Sequence, residues 1–160
     1  MVICCIGTPK VKGDSLAPKV GDELIKNNIN AFVYGTTQYP ITALNYMTFY
    51  NHIINCHKND FVIAIDCALG NKTEIGSIKI TKHGICPGKA IGKNLNSIGN
   101  IGILGQVGDI KNRPFEELKN ASDNLVDNLV CKITSLIISL SDAVYINKKY
   151  WFFQKYTDFW

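Results

Sequence analysis

The chain has 160 residues, of which 46% are hydrophobic and 19% are charged, a composition typical of one folded domain with a sizeable core. Its formal net charge is +4, and its lysines are scattered along the chain. A nucleic-acid groove needs a basic stripe with aromatic platforms, so we expect no nucleic-acid partner. We also expect no membrane-spanning stretch and no signal peptide, because the first apolar run is short and follows no charged region.

The six cysteines contain no CxxC pair, which argues against a zinc knuckle. They are Cys4, Cys5, Cys56, Cys67, Cys86 and Cys131. Those inside or just after apolar strands are expected to behave as small hydrophobes. This cysteine usage predicts a reduced, cytoplasmic protein.

The first half of the chain alternates strands and helices. Strands are predicted at residues 2–6, 31–36 and 61–65, and helices at 15–28 and 41–55. The third strand is the most apolar, which places it centrally in a parallel sheet.

The second half is predicted to hold strands at 74–81 and 101–107, with a loop rich in Gly and Asn between them. A final helix begins at Pro114 and has an apolar stripe that runs to Leu140, with a break around 120–123. This alternation predicts a three-layer α/β/α sandwich over residues 1–144.

Residues 145–160 form a tail that is unusually rich in aromatic side chains. One interpretation is a tail folded over the domain or into a dimer contact. The other is an anchor at a membrane interface or on a partner.

Two aspartates follow apolar strands. Asp14 lies in the loop GTPKVKGDSLAP (7–18) between the first strand and the first helix, and Asp66 ends the strand of FVIAIDCALG (61–70). Because ligands of open α/β sheets bind at the carboxyl ends of the strands, we expect a site there.

Each aspartate has a structural alternative. Asp14 can cap the first helix, whereas Asp66 must be hydrogen-bonded, paired or functional if the end of its strand is buried. If the two lie close together, one carboxyl takes up a proton while the other stays charged, an arrangement that activates water in aspartic proteases. The same pair can instead hold a divalent cation.

Neighbouring residues are weaker candidates. Gly13 allows close approach of a substrate backbone and Ser15 offers a hydroxyl to the cleft, although turn formation and helix initiation explain both. For His52 and His57 we expect no carboxylate or cysteine at a useful local spacing. His83 is expected in a loop near the crevice.

The loop 7–18 followed by 61–70 resembles the YyaC family of sporulation proteins, in which the loop reads close to GTDRSTGDSLGP and the strand close to IAIDACLG. Further matches are YGT at 34–36, Cys-Pro-Gly at 86–88 and IGNIGILGQV at 98–107. The likeness extends to about residue 143.

This family, described as spore proteases, is similar to the spore germination protease and to hydrogenase maturation proteases, which share a phosphorylase/hydrolase-like fold. The resemblance implies that Asp14 and Asp66 match two aspartates proposed to be catalytic in the germination protease. In maturation proteases, carboxylates at these places and a histidine bind nickel on the substrate protein. Here the matching strand end holds Gln106 and no histidine, which argues against a nickel site.

We therefore expect a peptidase-like hydrolase of the sporulating cell, with Asp14 and Asp66 as catalytic residues and Gly13 and Ser15 as substrate-binding residues. Its substrates would be proteins or peptides such as small spore proteins. No cofactor is required by this hypothesis, although a divalent metal fits the pair, and a homo-oligomer is compatible with it. The alternative is a non-catalytic peptide- or metal-binding module that uses a protease-like fold for regulation.

Overall fold

A computed structural model describes the backbone of residues 1–88 and 95–157, and the side chains of these residues as far as residue 143. Five strands form one sheet in the order β2-β1-β3-β5-β4. The strands are β1 Val2–Cys5, β2 Phe32–Tyr34, β3 Val62–Gly70, β4 Ile78–Thr81 and β5 Ile101–Asp109. Four are parallel, whereas the edge strand β4 runs antiparallel to β5. The predicted central position of β3 is confirmed.

Helices cover both faces of the sheet, which confirms the three-layer α/β/α sandwich. They are α1 Leu16–Lys26, α2 Tyr46–Cys56, α3 Pro114–Asn120 and α4 Asp123–Thr157. Side chains of α1 and α4 share one buried core with the sheet, and side chains of α2 share the other. The parallel strands, buried from both sides, therefore read as continuous apolar runs.

The two core helices follow their apolar spacing to different extents. In α1, Leu16, Val20 and Leu24 lie four residues apart and are fully buried. Helix α2 begins at Tyr46 rather than at the predicted residue 41, because the Asn45 side chain accepts the backbone N–H of Thr42 and holds a turn. Leu44 lies within the predicted helix at the apolar spacing, but it is 93% exposed in the turn before α2.

Strand β3 is longer than predicted. Its ladder with β1 stops at the pair Cys5–Ile65, but its ladder with β5 continues to the pair Gly70–Asp109. Asp66 is therefore the first residue of β3 beyond the end of β1 rather than the last residue of the strand. The predicted strand at 74–81 is shorter, because residues 72–74 form a 3₁₀ turn.

The predicted break in the last helix is confirmed, since α3 ends at Asn120 and α4 begins at Asp123. The backbone of α4 continues to Thr157, into the segment predicted as a tail. The aromatic side chains of 145–160 lie outside the described residues. Both interpretations of the tail, and the division at residue 144, stay predictions.

One stretch of α4, Asp123–Ala143, is long and apolar enough to cross a membrane, judged by length and composition alone. The sequence analysis had expected no such stretch. The same test is passed by core helices of globular domains. Here Leu129, Ile133 and Ile137 are fully buried and pack in the core beside the sheet. Much of the apolar character of this stretch is therefore accounted for by packing inside the domain.

Candidate active site

The site lies at the carboxyl end of β1, where the chain connections to the neighbouring strands β2 and β3 lie on opposite faces of the sheet. Helix α1 leads from β1 to β2 on one side, and α2 leads from β2 to β3 on the other side of β1. Their side chains belong to the cores on opposite faces of the sheet. Such a switch point opens a crevice at the carboxyl ends of the two central strands. Asp14 follows β1 and Asp66 belongs to β3, so the topology brings the two predicted aspartates to this crevice.

The loop after β1 turns back sharply, and two of its glycines lie in close contacts. Gly7 has a φ of +151°, and a Cβ there would collide with the carbonyl oxygen of Asp14 within the same loop. A Cβ on Gly13 would lie 3.0 Å from Val107 Cγ2 of β5 and 3.1 Å from the carbonyl oxygen of Leu118 of α3. Asp14 is therefore held between a close contact inside the loop and close contacts of the loop with β5 and α3.

The Asp14 carboxylate faces the loop and β3. Its Oδ2 accepts the backbone N–H of Thr8 at 2.8 Å, and its Oδ1 accepts the Cys67 thiol at 3.4 Å. None of the described side chains caps the first turn of α1 or the 3₁₀ turn Gly13–Ser15 that precedes it. The capping interpretation of Asp14 is therefore wrong, and its carboxylate faces Thr8 and Cys67 instead.

Asp66 completes a group of three side chains. Its Oδ1 accepts the backbone N–H of Cys67 at 2.8 Å. One ligand atom from each of Asp14, Asp66 and Cys67 lies within 4.8 Å of the other two. We call these three residues the carboxylate cluster. Cys67 follows an apolar strand and was expected to behave as a small hydrophobe, although its position next to Asp66 indicates that it belongs to the site.

Burial and mutual repulsion control protonation in the carboxylate cluster. Burial, reinforced by the charge of Asp14, raises the pKa of Asp66 well above its usual range. Burial also raises the pKa of Asp14, but the hydrogen bonds from Cys67 and Thr8 oppose that shift. Among the described side chains, no cationic group forms an ion pair with either aspartate. Asp66 is therefore the carboxyl that keeps its proton, and Asp14 the one that ionises.

Cys67 acts as a donor rather than as a nucleophile. Burial and the two neighbouring carboxylates raise the pKa of its thiol well above its usual value. A thiol that keeps its proton is a weak nucleophile, and it can donate a hydrogen bond to Asp14.

Other residues named from the sequence occupy different surroundings. The Ser15 hydroxyl is buried and donates to the carbonyl oxygen of Lys12 at 2.6 Å. Gly13 is buried beneath α3, so the substrate-binding roles of these two residues stay predictions. Gln106 is 4% exposed, and its side-chain oxygen has no hydrogen-bond partner among the described atoms.

The three histidines lie away from the carboxylate cluster. His83 follows the antiparallel strand β4 and is exposed at the amino edge of the parallel strands, so its predicted place near the crevice is wrong. The statement that the other two lack local partners is also wrong. His52 Nδ1 lies 3.6 Å from the Sγ of Cys56, which is four residues later in the chain. His57 Nδ1 lies 2.8 Å from the Oδ2 of Asp60, which is three residues later.

Solved structures with this fold include hydrolases. The chain is similar to a [NiFe] hydrogenase maturation protease, HycI from Thermococcus kodakarensis KOD1, with a TM-score of 0.60 and 18% identity over 88% of this chain and 91% of that one. It is also similar to a peptidyl-tRNA hydrolase, with a TM-score of 0.52 and 10% identity over 86% of this chain and 84% of that one. At these identities the likeness establishes a protease-like α/β fold, and function must be argued from the site.

The family itself is clear from sequence. Residues 1–139 match the family described as "Protein of unknown function (DUF1256)", and the chain belongs to that family. It is 37% identical over 143 residues to the uncharacterized protein YyaC of Bacillus subtilis (strain 168), over 89% of this chain and 69% of that protein. The resemblance stated from the two aspartate segments is confirmed.

Proposed function

We propose that this protein is a peptidase-like hydrolase in which Asp14 and Asp66 activate a water molecule. The observation that carries the proposal is the approach of the two carboxyl groups to within 4.8 Å in a crevice at the switch point of the sheet. Two oxygens at this separation can both hydrogen-bond one water, since each such bond spans about 2.8 Å.

The two aspartates have different surroundings, and we assign their roles in the reaction from this difference. Asp14, the carboxyl that ionises, accepts a proton from the water as the water oxygen attacks the peptide carbonyl carbon. Asp66, which keeps its proton, donates it to the carbonyl oxygen as negative charge develops there. The proton then held by Asp14 passes to the leaving amine, the C–N bond breaks, and Asp66 recovers its proton from the tetrahedral hydroxyl.

The neighbours of Asp14 support this assignment. The backbone N–H of Thr8 and the thiol of Cys67 both donate to the Asp14 carboxylate, so they favour its ionised form and fix its orientation. We place the reaction in the cytoplasm of a sporulating cell, with proteins or peptides such as small spore proteins as substrates. That placement follows from the sequence resemblance to sporulation proteins.

A second candidate function is the binding of a metal ion without hydrolysis. Asp14, Asp66 and Cys67 offer two carboxylate oxygens and one sulfur within 4.8 Å, a mixed ligand set that suits Zn²⁺ or Ni²⁺ better than Mg²⁺. The absence of a described cationic partner favours a bound cation. However, Cys67 would have to lose its proton, and its raised pKa opposes this.

The test is cleavage of a panel of purified small spore proteins, followed by mass spectrometry, in EDTA and with added Zn²⁺. Asp14→Asn and Asp66→Asn should each lower the cleavage rate at least ~100-fold, because removing a general acid or base costs about that much. Cys67→Ala should stay within about tenfold of the wild type, since its thiol only donates to Asp14. Asp127→Asn, which changes an exposed ion pair with Lys19, is the matched control.

The outcomes separate the two candidates. Discrete fragments in EDTA that disappear in both aspartate variants support the peptidase. No cleavage at any pH, together with calorimetric binding of Zn²⁺ that Asp14→Asn, Asp66→Asn and Cys67→Ala each abolish, supports the metal-binding module instead. Equal cleavage by wild type and both aspartate variants would overturn the catalytic assignment.

A further inference from the structure

A second set of chemically active side chains lies between β2 and the carboxyl-terminal end of α2. Tyr34 Oη lies 3.1 Å from His52 Nε2 and 2.8 Å from His57 Nε2. His52 Nδ1 lies 3.6 Å from Cys56 Sγ, and His57 Nδ1 lies 2.8 Å from Asp60 Oδ2. These five residues form one continuous chain of hydrogen bonds, which we call the histidine network.

The acidic end of the network fixes the direction of one bond. The pKa of Asp60 is lowered, first by its hydrogen bond with His57, so Asp60 is an acceptor and His57 Nδ1 carries a proton. The roles of the other ring nitrogens depend on the tautomers of the two histidines. In one arrangement that satisfies every contact, His57 Nε2 accepts the Tyr34 hydroxyl, the Tyr34 oxygen accepts His52 Nε2–H, and His52 Nδ1 accepts the Cys56 thiol.

Tyr34 is suited to this central place. Desolvation raises the pKa of its hydroxyl, and the negative charge of Asp60 acts in the same direction. The hydroxyl therefore stays protonated and can donate to His57 while accepting from His52. The ring of His57 is buried against Phe32, with ring centroids 4.8 Å apart, which fixes the inner end of the network.

The outer end of the network is open to solvent. Cys56 and His52 are exposed on α2, one helical turn apart, so reagents can reach the thiol. The loop that carries Asp60 leads into the amino end of β3, whereas the carboxylate cluster lies beyond the end of β1. The histidine network is therefore separate from the proposed hydrolytic site.

We propose that Cys56 and His52 form a thiol-exchange site at which Cys56 is reversibly modified by low-molecular-weight disulfides. His52 Nδ1 takes the proton of the Cys56 thiol, and its Nε2–H continues to donate to Tyr34. The imidazolium that results therefore has a partner for both of its N–H groups. Tyr34, His57 and Asp60 are positioning residues that hold the His52 ring in the tautomer whose Nδ1 carries no proton.

The exchange balances without another reactant. The Cys56 thiolate attacks one sulfur of the disulfide, a new S–S bond forms to Cys56, and the original S–S bond breaks. The second sulfur leaves as a thiolate and takes the proton from His52. One disulfide is consumed and one is formed, so the net oxidation state does not change.

The chain supplies its own reference thiol. Cys131 is also a free, exposed cysteine on a helix, and the described structure gives it no histidine partner. A comparison of Cys56 with Cys131 in the same molecule therefore isolates the effect of His52 from that of exposure. Loss of folding would speed both thiols together.

The experiment measures the rate of mixed-disulfide formation with oxidised glutathione, by peptide mass spectrometry, at Cys56 and at Cys131 of the full chain. General-base assistance should make Cys56 react about tenfold faster than Cys131. His52→Gln should bring the two rates together. Tyr34→Phe should lower the Cys56 rate about threefold, and NMR of the His52 ring should show that its single tautomer is lost.

Two results would overturn the proposal. Equal rates at Cys56 and Cys131 in the wild-type protein would show that the network does not assist the thiol. A faster Cys56 whose rate does not change in His52→Gln would show that exposure alone sets its reactivity. Because neither readout involves peptide cleavage, these results are independent of the proposed hydrolase activity.

Discussion

In the carboxylate cluster, two acids and a thiol lie together with no described cation to pair with them, whereas in the histidine network every acceptor has a donor. Both regions combine acidic groups with a cysteine. In the first, burial raises the pKa of each member, so protons are retained. In the second, hydrogen bonds from His57 and from the amino group of Met1 lower the pKa of Asp60.

The difference shows how surroundings give the same residue types different chemistry. A carboxyl whose pKa is raised holds its proton to higher pH and can act as an acid, and Asp66 is a group of this kind. A carboxylate that stays charged can only accept, and Asp60 is used to orient a histidine. The thiols follow the same division: Cys67 is a half-buried donor to Asp14, and Cys56 is an exposed thiol beside the ring of His52.

The largest expected effect tests the loop that holds the carboxylate cluster. Gly7→Ala should lower the free energy of unfolding by about 3 kcal/mol, because it combines a strained φ with a collision against the Asp14 backbone. Gly76 is a matched control: its φ is +85°, but its nearest neighbour, Leu125 Cδ1, would lie 3.4 Å from the new Cβ. Gly76→Ala should therefore cost only about 1 kcal/mol in a denaturant titration. Equal losses would show that the loop has room to relax.

A smaller effect follows from Asp66. Because its folded-state pKa is raised, Asp66 stays protonated in the folded protein while it ionises in the unfolded chain above its ordinary pKa of 3.8. The wild type should lose stability relative to Asp66→Asn as pH rises from that value through the folded-state pKa. Between pH 3 and pH 7 the stability of the variant relative to the wild type should rise by about 1 kcal/mol or more, and below pH 3 the difference should no longer change with pH. A difference that does not change between pH 3 and pH 7 would contradict the protonated assignment.

The smallest effect has the opposite sign. The lowered pKa of Asp60 means that its contribution to stability is present above the ordinary aspartate pKa and is lost as pH falls through the folded-state pKa. Asp60→Asn should therefore be slightly less stable than the wild type near pH 7 and equal to it at low pH, as measured by thermal unfolding across pH. The loss should be smaller than the gain in Asp66→Asn, because solvent screens the partly exposed Asp60. A stabilised variant would show that the network strains this loop.

Periodicity and turn residues located most elements of the fold. The apolar spacing of Leu16, Val20 and Leu24 predicted α1, although the helix ends at Lys26 rather than at residue 28, where Asn28 has a left-handed φ of +51°. The start of α2 was misplaced, because Leu44 fits the helical spacing but lies in an exposed turn. The end of β3 was also misplaced, because it depends on how far β5 continues beside it.

By itself, the sequence determined the α/β alternation, the family, and the two aspartates that the sheet brings together, because these depend on local spacing and on strand order. Tertiary structure alone decided how protons are distributed, since a pKa depends on burial and on neighbours distant in the chain. It also created the histidine network. The pairs His52–Cys56 and His57–Asp60 are local, but only the placement of β2 beside α2 inserts Tyr34 between them.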